Sequence, residues 1–315
     1  MKIVMLEPLG ITEAQAKEIL AKKADFDYEF VFCGAMLTEQ EKMLRAQDAD
    51  VLVVANSPLS PEVIENAPRL KMISVGFTGV DHIPLNLCRQ KNILVCNAQG
   101  YCTRSVAELT FGLIFDCLRN ILPCDSLTRE GKTKAGFIGN ELYGKTLGIV
   151  GAGEIGTYVA NIAKAFGCRV LGYSRSRREA AIRAGVEHVD LDTLMKESDI
   201  ITLHVPATAE TKHMISAEKI ALMKQSAILI NVARGSVVDS EALAAALNAG
   251  KIRGAGIDVF ENEPPIQADH PLLHSKNTIL TPHVAFATQE SMINRAEIVC
   301  DNICAWAHGN PMNVK

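Results

Sequence analysis

The sequence lacks the features that would place the protein in a membrane or on nucleic acid. No apolar run approaches the ~20 residues that a membrane-spanning helix needs. The net charge of −4 over 315 residues argues against a general nucleic-acid binder. The first residues, MKIVMLEPLG, predict a strand and a turn and not a signal peptide. We therefore expect a cytoplasmic protein that binds neither membranes nor nucleic acid.

The nine cysteines include no C-x-x-C pair, the spacing that is typical of zinc sites and redox motifs. Most of them lie in apolar runs, such as Cys96 in ILVCNA and Cys117 in LIFDCL. Cys300 and Cys304 are four residues apart on a predicted helix, but no histidine is paired with them. The pattern predicts buried free thiols in a reducing compartment and no metal site.

Low-complexity tracts, linker runs and internal repeats are also absent, and short β-rich runs alternate with helical patterns nearly throughout. The first series of predicted strands is KIVML, YEFVFC, DVLVVAN, KMISVGF and ILVCNA. The second series is TLGIVGAG, CRVLGYS, DIITLHVP, AILINVARG, IRGAGIDVF and TILTPHV. The alternation predicts an α/β fold with parallel sheets covered by helices, and at roughly 100–200 residues per domain the length predicts two domains.

Two helices organise these series. The apolar helix SVAELTFGLIFDCLRNI lies between them, and the last helix, TQESMINRAEIVCDNICAWAHG, follows the second series and is expected to return to the first domain.

The motif Gly151-x-Gly153-x-x-Gly156 follows an apolar strand and opens a helix. In this context the first glycine permits a tight turn, the second lets a pyrophosphate approach the backbone, and the third lets helix and strand pack closely. The N-terminus of the helix then offers N–H groups to the anion. The motif predicts a dinucleotide site, and the alternative is a glycine-rich turn without a ligand.

An acidic residue is missing where such folds usually place one, at the end of the next strand. Ser174 holds that position, and Arg175, Ser176, Arg177 and Arg178 follow it. A carboxylate there would repel a ribose 2′-phosphate, whereas hydroxyl and guanidinium groups would bind it by charge-assisted hydrogen bonds. The stretch predicts that NADP(H) is preferred and that NAD(H) remains possible. The alternative is a solvated basic helix start that binds nothing.

Three other strand ends carry side chains suited to hydride delivery: Arg234, Glu263 and His283. In an open α/β sheet, ligands collect at this edge. During reduction of a 2-keto acid, an arginine can anchor the carboxylate and stabilise the charge that develops on oxygen. A histidine can supply the proton, and a glutamate favours the charged imidazolium. Taken singly, each residue also has an ordinary explanation as a strand cap, a solvated loop acid or a buried histidine.

Several motifs together resemble the D-isomer-specific 2-hydroxyacid dehydrogenases over essentially the whole chain. They are GFTGVDHI, TRSVAEL, GAGEIG, LHVPATAETKHMI, LINVARGSVVD, GIDVFENEP and LTPHVAFAT, in the order of that family. The family includes glyoxylate/hydroxypyruvate reductases, D-lactate dehydrogenases and phosphoglycerate dehydrogenases.

The resemblance implies an architecture of two Rossmann-like, doubly wound parallel-sheet domains with the active site in the cleft between them. Residues 1–98 plus 286–315 would form the substrate-binding, flavodoxin-like domain, and residues 99–285 the dinucleotide-binding Rossmann domain. It also implies a homodimer built on the long helix near Ser105 to Leu122.

The resemblance further implies roles for individual residues. Arg234 would bind and polarise the substrate, Glu263 would pair with the histidine, and His283 would be the acid/base. The substrate carboxylate would be received by the backbone of Val75, Gly76, Phe77, Thr78 and Gly79. The implied cofactor contacts are Glu154 and Ile155 on the pyrophosphate, Val205, Pro206 and Thr211 on the adenosine side, and Asp258 on the nicotinamide carboxamide, with Ala233 and Thr103 nearby.

Two departures from the family pattern bear on specificity: Ser174 replaces the usual acid, and Ala285-Phe286 replaces a common Gly-Gly pair. The sequence ends with GNPMNVK, so we expect no feedback-regulated phosphoglycerate dehydrogenase. The resulting hypothesis is an NADP(H)-preferring reductase of a small 2-keto acid, with glyoxylate or hydroxypyruvate favoured.

The alternatives are a catalytically weak dinucleotide-sensing protein and an NAD-dependent D-lactate or phosphoglycerate-type dehydrogenase. Glu263 disfavours a formate-type enzyme, because that branch of the family carries glutamine beside the histidine.

Overall fold

A computed structural model describes residues 1–134 and 136–315. Its strands are β1 (Lys2–Met5), β2 (Glu29–Phe32), β3 (Val51–Val54), β4 (Met72–Val75), β5 (Leu94–Asn97), β6 (Thr146–Val150), β7 (Arg169–Tyr173), β8 (Glu187–His188), β9 (Ile200–Leu203), β10 (Ile228–Asn231), β11 (Gly254–Ile257) and β12 (Thr278–Leu280). Its helices are α1 (Glu13–Lys23), α2 (Glu39–Ala46), α3 (Pro61–Glu65), α4 (Leu85–Gln90), α5 (Thr103–Arg119), α6 (Ile121–Arg129), α7 (Glu154–Ala165), α8 (Glu179–Arg183), α9 (Leu191–Glu197), α10 (Ala217–Ala221), α11 (Ser240–Asn248) and α12 (Gln289–Ala307).

The described chain divides into two compact units. The first unit comprises Met1–Cys102 and Ala287–Lys315, and the second comprises Thr103–Phe286. The sequence-based division lies after residues 98 and 285, close to these two points. Helix α12 packs on α1 and on β4, so the last helix belongs to the first unit.

The first unit contains a five-stranded sheet in the order β2-β1-β3-β4-β5, parallel throughout. This is the flavodoxin-like order. Every residue of β3 and β4 is buried, as expected for central strands covered on both faces. Thr12 and Gln15 form a capping box at the start of α1, which satisfies N–H groups that the helix itself leaves unpaired.

The second unit contains a seven-stranded sheet in the order β12-β11-β10-β9-β6-β7-β8, again parallel throughout. Counted from β6, this is the Rossmann order with one additional strand. The strand order reverses between β6 and β9, so the crevice where such sheets bind ligands lies at the carboxyl ends of these two strands. The predicted pair of doubly wound parallel sheets is confirmed.

The long helix between the two series differs from the prediction at its C-terminal end. Helix α5 ends at Arg119, because Asn120 has a left-handed backbone conformation with φ 53°. Asparagine tolerates this region better than most residues, and it commonly ends helices there. The carboxylate of Asp116 accepts a hydrogen bond from the N–H of Leu122 at 3.0 Å, which secures the start of α6.

The structure also bears on the cysteines, on membrane-spanning helices and on metal sites. None of the nine cysteines forms a disulfide, and burial raises the pKa of Cys96 to about 11 and that of Cys117 to about 12. Within residues 1–134 and 136–315, no helix has the length and apolarity to cross a membrane. Over the same residues, no group of three or more His, Cys, Asp or Glu side chains is arranged to hold a metal ion.

Candidate functional site

The glycine motif forms a turn between β6 and α7 in which two of the three glycines leave no room for a side chain. Gly151 has φ +101°, and a Cβ there would lie 2.5 Å from the carbonyl oxygen of His204. A Cβ on Gly156 would lie 2.3 Å from the carbonyl oxygen of Gly151. Gly153, in contrast, would meet nothing within 4 Å. The first and third glycines are therefore required by packing, while the second leaves open space beside the backbone.

The N-terminus of α7 lies at this open space. Gly153 is its N-cap residue and supplies no side-chain hydrogen bond. Its first turn contains the exposed Glu154 and the half-buried Ile155, and the Glu154 carboxylate accepts a hydrogen bond from Thr103 Oγ1 at 3.1 Å. Since the helix start is uncapped and sits where the strand order reverses, it fits the pyrophosphate of a dinucleotide.

The basic stretch follows β7 and faces an open pocket. Ser174 Oγ donates to the carbonyl oxygen of Ser176 at 2.8 Å, which closes the turn after the strand. The guanidinium groups of Arg175, Arg177 and Arg178 make no hydrogen bond or ion pair with any residue that the structure describes. The pocket has a volume of about 550 Å³ and is lined by Tyr173, Ser174, Arg177, His188, Val189, Asp190 and Thr193.

The pocket lining is suited to an anion only where Ser174 and Arg177 contribute to it. Burial, with a smaller effect of the Arg177 charge, lowers the pKa of His188. Asp190 is engaged elsewhere, because its carboxylate caps α9 by accepting hydrogen bonds from the N–H and Oγ1 of Thr193 at 2.9 and 2.8 Å. The unpaired guanidinium charge therefore lies at the Ser174–Arg177 side of the pocket.

The segment after β9 is held in a closed loop. Val205 packs against the hydrophobic core of the second unit. Thr211 Oγ1 donates to the carbonyl oxygen of Pro206 at 2.6 Å and accepts from the N–H of Thr208 at 2.8 Å. This loop lies beside the glycine turn, because a Cβ on Gly151 would come within 2.9 Å of Val205 Cγ1.

Asn231, the last residue of β10, shapes the turn that presents Arg234. Its Oδ1 accepts the N–H of Ala233 at 3.1 Å, and its Nδ2 donates to the carbonyl oxygen of Arg234 at 2.9 Å. Arg234 Nη1 donates to the carbonyl oxygen of Ala233 at 2.8 Å. Gly235 then packs directly on the segment after β11, since a Cβ there would lie 2.0 Å from the carbonyl carbon of Phe260.

Asp258, just after β11, is fully buried and organises the segment that carries His283. Its carboxylate accepts hydrogen bonds from Thr281 Oγ1 at 2.5 Å and from the N–H groups of Val284 and Ala285, each at 2.9 Å. Burial raises the pKa of Asp258, although these hydrogen bonds oppose the rise. The Asp258 carboxylate, which the resemblance assigns to the nicotinamide carboxamide, thus also fixes the residues on both sides of His283.

Glu263 and His283 form the pair that the sequence predicts. Glu263 Oε1 lies 2.7 Å from His283 Nδ1, and both side chains are largely buried, with 16% and 19% of their surface exposed. Glu263 Oε2 accepts the N–H of Phe260 at 3.1 Å. His283 has φ 54°, a sparsely populated conformation for a residue other than glycine, and such outliers cluster at functional sites.

A carboxylate on Nδ1 fixes the orientation of the imidazole ring. The ring of Phe286 lies edge-on to the imidazole at a centroid distance of 5.5 Å. The aromatic residue that replaces the common glycine thus packs on the histidine itself.

A second glutamate–histidine pair lies close by, and the sequence patterns do not indicate it. Glu261 Oε2 lies 2.8 Å from His270 Nε2, and Glu261 Oε1 accepts a hydrogen bond from Ser240 Oγ at 2.6 Å. No motif or periodicity relates these three residues.

In the first unit, the loop after β4 contains the predicted carboxylate-binding backbone. The N–H of Gly76 donates to the carbonyl oxygen of Val54 at 2.8 Å, and the carbonyl oxygens of Phe77 and Thr78 accept from Ala98 N–H at 3.0 Å and from Asn97 Nδ2 at 2.6 Å. The N–H groups of Thr78 and Gly79 donate to no residue in the described ranges. They are therefore suited to receive an anion.

A buried arginine that the sequence analysis did not single out supports this loop. The guanidinium of Arg295, on α12, lies 5.3 Å from the ring centroid of Phe77 and 5.8 Å from that of Tyr101. Burial lowers its pKa. Its position was not predictable, because a single arginine within a helical pattern ordinarily faces solvent.

Comparison with known families identifies a match over more than half of the chain. Residues 111–285 match the model of the NAD-binding domain of the D-isomer-specific 2-hydroxyacid dehydrogenases. The chain is 43% identical to a glyoxylate reductase of Korarchaeum cryptofilum over 272 residues, which are 84% of this chain and 82% of that protein. It is 40% identical to a hydroxypyruvate reductase of Thermotoga maritima over 282 residues, 89% of this chain and 90% of that protein.

Solved structures with the same fold contain either dinucleotide. An acyclic imino acid reductase in complex with NADPH and D-arginine superimposes with a TM-score of 0.90 at 31% identity, over 100% of both chains. The D-lactate dehydrogenase of Aquifex aeolicus, complexed with NAD and lactic acid, superimposes with a TM-score of 0.83 at 33% identity. The alignment covers 98% of this chain and 96% of that one.

Proposed function

Because the chain belongs to the D-isomer-specific 2-hydroxyacid dehydrogenases, a family of NAD(P)-dependent oxidoreductases, we propose that it reduces a small 2-keto acid, glyoxylate or hydroxypyruvate, to the 2-hydroxy acid. The observation that carries the proposal is the Glu263–His283 pair at 2.7 Å. It lies in the same unit as Arg234 and the glycine turn. The similarity to reductases of these two substrates favours them over lactate-type chemistry.

Each residue has a distinct task in this proposal. A bound nicotinamide supplies the hydride that adds to C2 of the keto acid. Arg234 binds the substrate and stabilises the negative charge that develops on the keto oxygen. His283 donates its Nε2 proton to that oxygen, and Glu263 stabilises the imidazolium before the transfer. From the resemblance, we propose that the backbone of residues 75–79 receives the substrate carboxylate.

A substrate panel tests this proposal against its alternatives. Initial rates with glyoxylate, hydroxypyruvate, pyruvate and longer 2-keto acids are measured with NADPH and with NADH. We expect the largest kcat/KM with glyoxylate or hydroxypyruvate. Higher kcat/KM with pyruvate would favour a D-lactate-type enzyme. Tight dinucleotide binding without turnover on any acid would favour a dinucleotide-sensing protein.

The proposed preference for NADP(H) is supported by the guanidinium groups of Arg175, Arg177 and Arg178, which make no hydrogen bond or ion pair with the described residues, and by Ser174 in place of an acid. We expect NADPH to exceed NADH in kcat/KM by at least tenfold, since tenfold needs about 1.4 kcal/mol and one charge-assisted hydrogen bond contributes about 1.5–3 kcal/mol. Ser174→Asp would repel the 2′-phosphate and offer a carboxylate to the ribose of NADH, so the preference is expected to fall or invert.

Arg175→Ala should weaken NADPH and leave NADH nearly unchanged. Arg183→Ala is the matched control, because it removes the same charge from the exposed face of α8, where Arg183 pairs with Glu179. Equal use of NADH and NADPH by the unmodified enzyme would show that the basic stretch is only a solvated helix start.

We also propose a homodimer formed through the second unit. Around α5 and α6 this unit exposes large apolar side chains, which in a soluble protein often mark an interface. They are Ile121, Leu122, Ile138, Tyr143 and Phe166. Light scattering should give a dimer that Leu122→Glu converts to a monomer, whereas Leu44→Glu, at an exposed leucine of the first unit, should not. The nine free cysteines support a reducing compartment such as the cytoplasm as its location.

A further inference from the structure

We infer that Glu261 is a positioning residue for the acid–base pair: its carboxylate ties the segment that carries Arg234 to the segment that carries Glu263. The inference rests on the proposed function, because it assigns to Glu261 an effect on Glu263 and His283 and no chemistry of its own. Three sets of contacts in the second unit support it.

The first contact joins Glu261 to the start of α11. Ser240 Oγ donates to Glu261 Oε1 at 2.6 Å, and Ser240 is buried. Ser240 follows the short 3-10 turn Gly235–Val237, which begins directly after Arg234. Asp239 caps α11 by accepting the N–H of Ala242 at 3.0 Å, so the helix start that Glu261 holds is itself well ordered.

The second contact joins Glu261 to His270. His270 Nε2 lies 2.8 Å from Glu261 Oε2, and the exposed fractions of the two side chains are 11% and 24%. The same imidazole packs edge-on against the ring of Phe260 at a centroid distance of 5.2 Å. One histidine thus holds the side chains of two consecutive residues, which immobilises the peptide between them.

The third contact involves the backbone of that peptide. A Cβ on Gly235 would lie 2.0 Å from the carbonyl carbon of Phe260 and 2.3 Å from the nitrogen of Glu261. The residue after Arg234 therefore rests directly on the peptide that the Glu261 side chain fixes.

One hydrogen bond connects the peptide that Glu261 fixes to the acid–base pair. The N–H of Phe260 donates to Glu263 Oε2 at 3.1 Å, while Glu263 Oε1 faces His283 Nδ1 at 2.7 Å. If the ties of Glu261 are lost, Phe260 no longer orients the Glu263 carboxylate. The imidazolium of His283 is then less stabilised, and the pH profile of reduction moves toward lower pH.

The central experiment compares the wild-type enzyme with Glu261→Ala and with the control His274→Ala. His274 lies on the same segment as His270 and contacts only the carbonyl oxygen of Ala268 among the described residues. Glu261→Ala should lower kcat about tenfold, a typical result of a small misplacement. It should also move the profile of kcat/KM to lower pH. His274→Ala should change neither.

The conservative variant Glu261→Gln should recover part of both effects, because its amide oxygen can still accept from His270 Nε2–H while its amide nitrogen donates to Ser240 Oγ. A double variant tests whether Glu261 acts through Glu263. In a Glu263→Ala background, Glu261→Ala should no longer move the profile, since the residue through which it acts is gone. The carboxylates of Glu263 and Asp258, which act electrostatically on His283, are unchanged in the single variants.

A loss of kcat with an unchanged pH profile in Glu261→Ala would overturn the inference, because it would mean that Glu261 only stabilises the fold. If Glu261→Ala does not fold, Ser240→Ala and His270→Gln each remove or weaken one tie, and an unshifted profile in both would overturn it equally. These results are distinct from a failure of the proposed function, in which His283→Ala would keep full turnover.

Discussion

Two glutamates, two residues apart, each bind a histidine, yet only one of the two pairs has the geometry of an acid–base site. The distances are 2.7 Å for Glu263–His283 and 2.8 Å for Glu261–His270. The backbones differ: His283 has φ 54°, whereas His270 has φ −57°. Strain of this kind persists only where the surrounding structure enforces it, as the hydrogen bonds of Asp258 do around His283.

The two imidazole rings also differ in which nitrogen the glutamate uses. His270 meets Glu261 through Nε2, and its Nδ1 accepts the N–H of Leu272 at 3.4 Å. Both of its ring nitrogens are therefore used within the protein. His283 meets Glu263 through Nδ1, so Nε2 is the atom that we assign to the substrate. An acid–histidine contact alone does not distinguish the two pairs, whereas the ring nitrogen that each glutamate contacts and the backbone conformation of each histidine do.

The largest expected effect comes from removing each histidine in turn. His283→Ala should lower kcat for keto-acid reduction by ~10²–10⁴, the usual contribution of a placed general acid. His270→Ala should lower it about tenfold or less, because it disturbs only position. Steady-state rates at saturating cofactor give both values, and cofactor fluorescence titration checks that binding is retained. Equal losses in the two variants would remove the distinction between the pairs.

A somewhat smaller effect is expected from a variant that disturbs both pairs together. Gly235→Ala would force a Cβ to 2.0 Å from the backbone of Phe260, so the segment of Glu261 and Glu263 must move. We expect kcat to fall by about 10² and the free energy of unfolding, measured in urea, to fall by about 3 kcal/mol.

Gly34→Ala, in the first unit, is the control for this variant. Its Cβ would meet nothing nearer than 3.4 Å, an ordinary van der Waals distance. Full activity of Gly235→Ala would mean that the contact with Phe260 can relax without consequence for the site.

The next prediction concerns the charge of each glutamate. Glu263→Gln removes the carboxylate beside the imidazolium, so the ring loses its proton at lower pH and the rate of reduction declines at lower pH. We expect a shift toward lower pH that is larger for Glu263→Gln than for Glu261→Gln. Profiles of kcat/KM between about pH 5 and 9 measure both, a range that covers the titration of an ordinary histidine. A shift of equal size in both variants would contradict the assignment of Glu263 as the direct partner.

The sequence predicted the fold well because its strands are short apolar runs separated by helical patterns. Strand β8 was missed, since Glu187 and His188 are two residues without apolar alternation. The break between α5 and α6 was missed because Asn120 fits both a helix interior and a left-handed turn, and only tertiary packing decides between them.

The candidate site was predictable where residues follow strands and not where they meet across loops. Arg234 and His283 each lie three residues after a strand, β10 and β12 respectively, so sheet topology alone brings them to one edge. Glu261 meets Ser240 and His270 at separations of 21 and nine residues, and neither partner lies on a strand. No periodicity encodes such contacts, because the paths of the connecting loops determine them.

The smallest effect is expected at Ser240, which contacts only the Glu261–His270 pair, to which we assign positioning and no chemistry. Ser240→Ala removes the donor to Glu261 Oε1 but leaves His270 in place. We expect the free energy of unfolding to fall by about 1 kcal/mol and kcat to fall about two- to threefold, since one of the two ties remains. Ser226→Ala, at an exposed serine of the same unit, is the control and should alter neither. Urea unfolding and initial rates measure the two effects. A loss at Ser240 as large as that of His270→Ala would mean that the link to α11, and not the histidine, holds Glu261 in position.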